Sequence, residues 1–309
     1  MKTERLNQFD ILKGVGILLV MIGHAISTNS IVYNLIYGFH MPLFFFCSGF
    51  FFKDRQLMES FTKDVKGLLV PWMTFSCVLV LCSFVLQFLS NGIGPLFQPL
   101  DENCYILYHT IWFLLCLFIV RLLYLLMWKC NRHIISVLCV GGGFLAFTLK
   151  YFNVNIPFFF DSALAMLLFF HLGRIFHEWE WYKKLQPIWI SMVFLIAYIL
   201  FVWMVVPLVN IKENLYPIYL PVLSIIPIWA LYQMCCRINS IFISHCGVVS
   251  LSIMGLHHPI YDVVMTPIFN RVAFPHLIEV ILMVVSTLII VLIIDKLIMK
   301  YVPFLLGKF

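Results

Sequence analysis

The sequence predicts an all-α, polytopic integral membrane protein with about ten transmembrane helices and both termini on the cytoplasmic side. Composition is the first reason. Of 309 residues, 63% are hydrophobic and only 11% are charged, at a mean hydropathy of +1.01. A water-soluble domain carries roughly a quarter charged residues, so this chain cannot cover a globule with polar surface and its solvent is mostly lipid. Periodic recurrence is the second reason: apolar stretches of the length a bilayer requires, roughly 17 to 25 residues, run from one end of the chain to the other. The third is the distribution of basic residues between those stretches.

The stretches fall at 11–27, 34–52, 67–90, 109–129, 134–152, 157–176, 187–209, 217–236, 246–264 and 277–299. Their loops are short, none reads as a linker, and no internal repeat is evident, so residues 1–309 are read as a single transmembrane domain. The opening Met1-Lys2-Thr3-Glu4-Arg5 and the apolar run behind it have the outline of a signal peptide. That run ends in Gly23-His24 rather than a small-residue cleavage site, and similar runs follow, so it is read as the first membrane helix. With both termini inside, seventeen of the twenty Lys and Arg fall on the inner side or in the inner parts of helices. Only Lys150, Lys212 and Arg271 fall outside. This is the positive-inside asymmetry, and an odd number of spans would scramble it.

The net charge of +6 therefore reflects membrane orientation and implies no nucleic-acid partner. The ten cysteines do not form a disulfide framework: most lie inside apolar runs, such as Cys77, Cys82, Cys116 and Cys139, where a free thiol acts as a small hydrophobe. There is no CxxC and no Cys/His cluster at zinc-ligand spacing, so no metal is expected.

Polar groups inside apolar segments are costly and mark candidate function. In the first helix Asp10, Lys13 and His24 share a face. Eleven residues are about three turns, so Lys13 and His24 align within roughly 20°, about 16 Å apart along the axis. Asp10 lies about 60° from Lys13, and Ile17 and Met21 fill the stripe between Lys13 and His24. For Lys13 the alternative is snorkelling to the interface; for His24 it is a core histidine bonded to a neighbouring helix. His40 follows in Tyr37-Gly38-Phe39-His40-Met41-Pro42, at the outer end of the second helix and at a depth similar to that of His24. An imidazole titrating near pH 6.5 can take a proton at neutral pH, which makes either ring a candidate general base. Arg121, His171 and Arg174 lie deeper in other helices, while Trp112, Asp161, His257 and His258 lie towards the outer side. Taken singly, each has a structural polar contact as its simpler explanation. Together, outward histidines and inward cations point to a cavity reached from both sides.

Two segments carry a family resemblance. Phe9-Asp10-Ile11-Leu12-Lys13 through Gly23-His24 resembles the opening of membrane acyltransferase family 3, and Phe39-His40-Met41-Pro42-Leu43-Phe44-Phe45-Phe46-Cys47-Ser48-Gly49-Phe50 resembles its second segment. Ile111-Trp112-Phe113-Leu114, Phe169-Phe170-His171-Leu172-Gly173 and Ser250 through His257 resemble later stretches, in order. The resemblance implies about ten helices and transfer of an acyl group, usually acetyl from acetyl-CoA, to sugars. The family's basic residue eleven positions before a helix-one histidine carries over to Lys13 and His24. Lys rather than Arg is similar to the fucose 4-O-acetylase-like subgroup, and an ammonium is a point charge rather than a bidentate fork.

The expectation is thus a membrane O-acyltransferase of the bacterial inner membrane. It would move acetyl from cytoplasmic acetyl-CoA to a hydroxyl of a surface polysaccharide or sugar lipid, with no bound cofactor. His24, His40 and Asp10 are the catalytic candidates, and Lys13, Arg5, Arg121 and Arg174 the acyl-CoA candidates. Asp161, His257, His258 and Trp112 are the acceptor candidates. The competing expectation is a polysaccharide or sugar-lipid transporter or flippase without acyl transfer.

Overall fold

The computed structural model describes residues 6–26, 30–53, 56–91, 111–154, 156–209, 216–269 and 274–308. Among them there is no strand. The α-helices are α1 (Asn7–Ala25), α2 (Ile31–Tyr37), α3 (His40–Phe50), α4 (Leu57–Asp64), α5 (Val70–Asn91), α6 (Trp112–Met127), α7 (Arg132–Tyr151), α8 (Phe160–Glu178), α9 (Ile188–Val209), α10 (Tyr216–Cys235), α11 (Ile241–Val248), α12 (Ser250–Ile260), α13 (Thr266–Phe269) and α14 (His276–Tyr301). Among the described residues, six helices are long and apolar enough to cross a bilayer, or seven with α11 and α12 counted as one broken span. The shorter apolar helices Trp112–Met127, Ile188–Met204 and Ser224–Cys235 lie within the fourth, seventh and eighth predicted stretches.

Three predicted spans take a different local form. The second is two helices parted at Gly38-Phe39 rather than one over 34–52. The third begins at Leu57, ten residues before its apolar run, because α4 passes through a π-helical turn, Val65–Leu69, into α5. The ninth, expected as one helix over 246–264, breaks at Val249, and past Pro259 it widens into a second π-helical turn, Tyr261–Met265. Proline lacks the N–H that would continue the ladder and crowds the carbonyl four residues back, and π turns absorb such misfits.

The chain forms two compact units, Met1–Leu57 with Ile119–Ser250, and Met58–Phe118 with Leu251–Phe309. In the first, two helix crossings are built on glycine. A Cβ on Gly14 of α1 would strike the Ile243 carbonyl of α11, and one on Gly247 of α11 would strike the Asp10 carbonyl. Gly49 of α3 and the Phe170 carbonyl of α8 stand in the same relation, as do Gly173 and the Phe46 carbonyl. Small residues let backbones approach in lipid, where apolar side chains gain little by leaving one environment for a similar one. Around one end of these crossings lies an aromatic cluster: Phe9 stacks on Phe50 at 3.9 Å, and Tyr232 lies 5.1 Å from both Phe9 and Phe176. His171, buried on α8, receives or gives hydrogen bonds at both ring nitrogens, to Tyr124 Oη at 3.0 Å and Ser136 Oγ at 2.9 Å, and so ties α6 and α7 to α8.

In the second unit the Phe75 ring of α5 packs against Gly255 of α12, where a Cβ would intrude on it. Ser252 of α12 donates to the carboxylate of Asp295, which is buried on α14. Gly307, at φ +70°, closes the C-terminal 3-10 turn Pro303–Leu306 against the Lys66 backbone, a conformation a side chain would strain.

Gly49→Ala and Gly247→Ala are each expected to lower stability by about 1–3 kcal/mol or more, since backbone cannot move aside as a side chain can. Gly141→Ala on α7, where a Cβ meets no atom within 4 Å, is expected to be neutral or to stabilise by about 0.5–1 kcal/mol. Melting curves of the purified variants in detergent check both.

Candidate active site

Both halves of the candidate site begin on α1. Lys13 Nζ lies 2.9 Å from Asp10 Oδ1, with the carboxylate side chain 9% exposed and the lysine side chain 26%. A charge withdrawn from water is tolerated when its counter-charge comes with it. The pair stands at the crossing with α11, because Gly247 brings that helix onto the Asp10 carbonyl. Cys47 of α3 is within electrostatic range of both charges.

Along the same stripe Ile17 and Met21 are fully buried, so the face joining Lys13 to His24 is turned into the protein and closed by packing. His24 itself is exposed in the last turn of α1. Its Nδ1 lies 3.3 Å from Tyr37 Oη. Gly23 makes the room: a Cβ there would come within 3.0 Å of the Tyr37 ring and 3.3 Å of Ile36 Cγ2. The Tyr37 ring stacks on Tyr33 at 3.7 Å and meets the His40 ring edge-on at 4.6 Å. One phenol therefore joins the two histidines, with its hydroxyl on His24 and its ring against His40.

His40 is buried and turns Nδ1 to the Ile36 carbonyl at 3.0 Å. A carbonyl only accepts, so Nδ1 carries the proton and Nε2 is the basic nitrogen of the neutral ring. The break between α2 and α3 is built around this contact. Pro42 cannot donate to the Gly38 carbonyl, and Ser224 of α10 donates to it instead. Tyr198 of α9 donates to the Leu35 carbonyl at 2.7 Å. Carbonyls freed from the helix thus find side-chain donors, as buried backbone must.

The second unit repeats the histidine contact without the break. Ile-x-Gly-x-His-x-Pro occurs at 36–42 and again at 253–259. In α12, His257 turns Nδ1 to the Ile253 carbonyl at 2.8 Å, as His40 does to Ile36. His257 is buried, His258 half-buried with its ring 5.5 Å from that of His257, and Trp112 half-buried at the start of α6.

The remaining cations sit deeper in local contacts. Arg121 donates to Ser48 Oγ at 3.1 Å, with its guanidinium 5.9 Å from the centre of the Phe52 ring. Arg174 donates to Glu178 at 2.7 Å and to the Phe52 carbonyl at 2.7 Å, and lies 4.7 Å over the Trp128 ring. Arg132 adds a second contact to Glu178 at 3.4 Å. Arg174 is thus a clamp between α8 and the end of α3, committed within the protein. Asp161 is half-buried in the first turn of α8, about 25 Å along that helix from Glu178, where a carboxylate also suits the helix dipole. Arg5 lies outside the described residues. Among the described residues no cluster of His, Cys, Asp and Glu is arranged to hold a metal.

The family model for an acyltransferase domain, that of acyltransferase family 3, matches residues 6–296. The chain belongs to acyltransferase family 3. No curated protein and no solved structure matches it. Membership makes this a membrane acyltransferase, and it weighs against a carrier without acyl-transfer activity. Spacing in the sequence singles out His24 and Lys13 as candidates, and the structure adds two side chains that spacing does not reveal, Tyr37 and Asp295. Tyr37 offered no periodic signal, because it belongs to the short helix α2 and reaches His24 only through the turn between spans. Asp295, next to Lys296 in the last helix, is not singled out by the sequence, yet it is buried and bonded to Ser252.

Lys13→Met is expected to destabilise the protein by on the order of 2 kcal/mol, short of the loss for a fully buried pair because Lys13 is partly exposed. The double variant Asp10→Asn/Lys13→Met is expected to recover part of that loss. Thermal denaturation of wild type, Lys13→Met, Asp10→Asn and the double variant measures the coupling, and strict additivity would refute a stabilising pair.

Proposed function

We propose that the protein transfers an acetyl group from cytoplasmic acetyl-CoA to a hydroxyl of a cell-surface or lipid-linked sugar, in the manner of the fucose 4-O-acetylase-like subgroup. The observation that carries this reading is the division of labour along α1: a cation anchored by Asp10 towards one end, and an exposed imidazole held by Tyr37 about 16 Å away at the other. Lys13 would receive a phosphate of CoA, and the pantetheine arm would bring the thioester towards His24. Arg121 and Arg5 are secondary candidates for phosphate contact. Arg174 is a weak one, given its commitment to Glu178 and Phe52. Ile17 and Met21, which now close the lane by packing, would move aside for the pantetheine arm, Met21 being the more flexible of the two.

His24 then acts as general base. It takes the proton of the acceptor hydroxyl as that oxygen attacks the thioester carbonyl. The new C–O bond forms, the C–S bond breaks, and the imidazolium returns the proton to the departing CoA sulfur. Tyr37 positions the ring through Nδ1, leaving Nε2 to face the acceptor. Asp161, His257, His258 and Trp112 remain acceptor candidates, and His40 supports the Tyr37 ring and the second helix break.

The topology proposed with this function is ten spans with both termini cytoplasmic. It is supported by the gathering of Lys13, Arg132, Arg174, Lys183 and Arg237 towards one end of the first unit. Bacterial inner-membrane residence follows from the same reading.

Purified protein in detergent is expected to pass label from radiolabelled acetyl-CoA to a sugar acceptor. His24→Ala should abolish transfer while leaving the melting temperature near wild type; full activity in that variant would overturn the mechanism. Tyr37→Phe keeps the ring packing and loses the hydroxyl. It should cut kcat about tenfold, the rate equivalent of one hydrogen bond, with KM for acetyl-CoA little changed.

A further inference from the structure

The loop between α8 and α9 has the sequence Trp179-Glu180-Trp181-Tyr182-Lys183-Lys184-Leu185-Gln186-Pro187, and its backbone is held by the end of α10 and by Arg237 beyond it. Tyr232 Oη donates to the Tyr182 carbonyl at 2.8 Å and Gln233 Nε2 to the Lys184 carbonyl at 3.0 Å. The Gln186 N–H donates to Gln233 Oε1 at 3.0 Å, and Arg237 donates to the Gln186 carbonyl. Tyr232 and Gln233 are themselves 0% and 1% exposed. Two buried side chains of α10, with Arg237 just past its end, are thus spent on fixing a short loop.

What the loop presents is a groove of about 300 Å³ lined by Trp181, Lys184, Gln186, Ile190 and Trp229. Lys183 is committed to Glu180 in an ion pair. Among the described residues, the Lys184 ammonium and the Gln186 carboxamide make no hydrogen bond or ion pair, though the backbone groups of both are bonded. Below them the groove is walled by Ile190 and by Trp229, whose ring meets Phe194 edge-on at 5.3 Å. The outer surface of α9 continues this apolar wall, with Trp189, Val193, Phe194 and Ile196 exposed. A tryptophan-and-lysine rim above an apolar helix face is the composition of a water–lipid boundary.

We propose that this groove binds one anionic phospholipid, with the phosphate on Lys184 and Gln186 and the first part of an acyl chain against Trp181, Ile190 and Trp229. The occupant follows from charge and position. A lone ammonium beside a neutral amide donor suits a phosphate bearing net negative charge, whereas a zwitterionic headgroup would bring a second cation to the same place. The loop also lies at the Lys13 end of the first unit, since Tyr232 touches both Tyr182 and Phe9. That end is remote from His24, so the groove does not belong to the acceptor side, and the proposal stands whatever the acyl acceptor is.

Native mass spectrometry of the full chain in detergent, with phosphatidylglycerol or phosphatidylcholine supplied in equal amounts, tests it. Wild type should retain one phosphatidylglycerol at least about fivefold over phosphatidylcholine, the discrimination one lysine gives near an anionic lipid. Lys184→Gln should lose that preference with an unchanged melting temperature, and Lys183→Gln should keep it. Trp229→Leu should weaken retention of both lipids. Equal retention of the two lipids by wild type, or a preference that survives Lys184→Gln, overturns the site. So does an equal loss in Lys183→Gln, which would mean a diffuse charge effect. Displacement of phosphatidylglycerol by acetyl-CoA at the same residues would likewise overturn it, as the mark of a donor site.

Discussion

Between two helices in lipid there is no water to expel, so association depends on how closely the backbones can approach. α1 meets α11 with Gly14 and Gly247 at the contact, and α3 meets α8 with Gly49 and Gly173. At each crossing a carbonyl occupies the space a methyl group would need. Because the approach is that close, the position of α1 is fixed by main chain rather than by adaptable side chains. The Asp10 carbonyl is itself part of the contact, so the charged pair one side chain away inherits that precision.

Where the helices break, the same constraint appears as an accounting of carbonyls. Pro42 forces the Gly38 carbonyl out of the ladder, and Ser224, Tyr198 and His40 supply donors across the break. The consequence is positional: the chain turns at Gly38-Phe39 and presents Tyr37 towards α1, where Gly23 leaves space for its ring. His40, which reads in sequence as a catalytic twin of His24, has one nitrogen committed to this backbone repair. In the second Ile-x-Gly-x-His-x-Pro segment His257 makes the same contact to the Ile253 carbonyl, within a helix that stays unbroken at Gly255. Broken helices are also a feature of transporters, but the break between α2 and α3 is accounted for by Pro42 and its orphaned carbonyl, and the family is one of acyltransferases.

The cations divide into two kinds on structural grounds. Lys13 is paired once, partly exposed, and placed on the stripe that leads to His24. Arg174 is bound to a carboxylate and a carbonyl and covers an indole, which is the environment of a structural fork rather than of a waiting anion site. Sequence alone treats the two alike, since both are basic residues in the inner half of an apolar helix.

By itself the sequence determined the class of the protein, because a chain this poor in charge can be solvated only by lipid, and it placed Lys13 and His24 on one stripe because helical periodicity is local. It located most helices for the same reason. The tertiary structure alone decided that Tyr37 reaches His24, that Arg174 is a clamp and that Asp295 is buried. Each of these depends on which groups a neighbouring helix brings within about 3 Å of a donor or acceptor. Such contacts join residues far apart in the chain, as with Ser224 and Gly38 or Arg174 and Phe52, and leave no periodic trace in either segment.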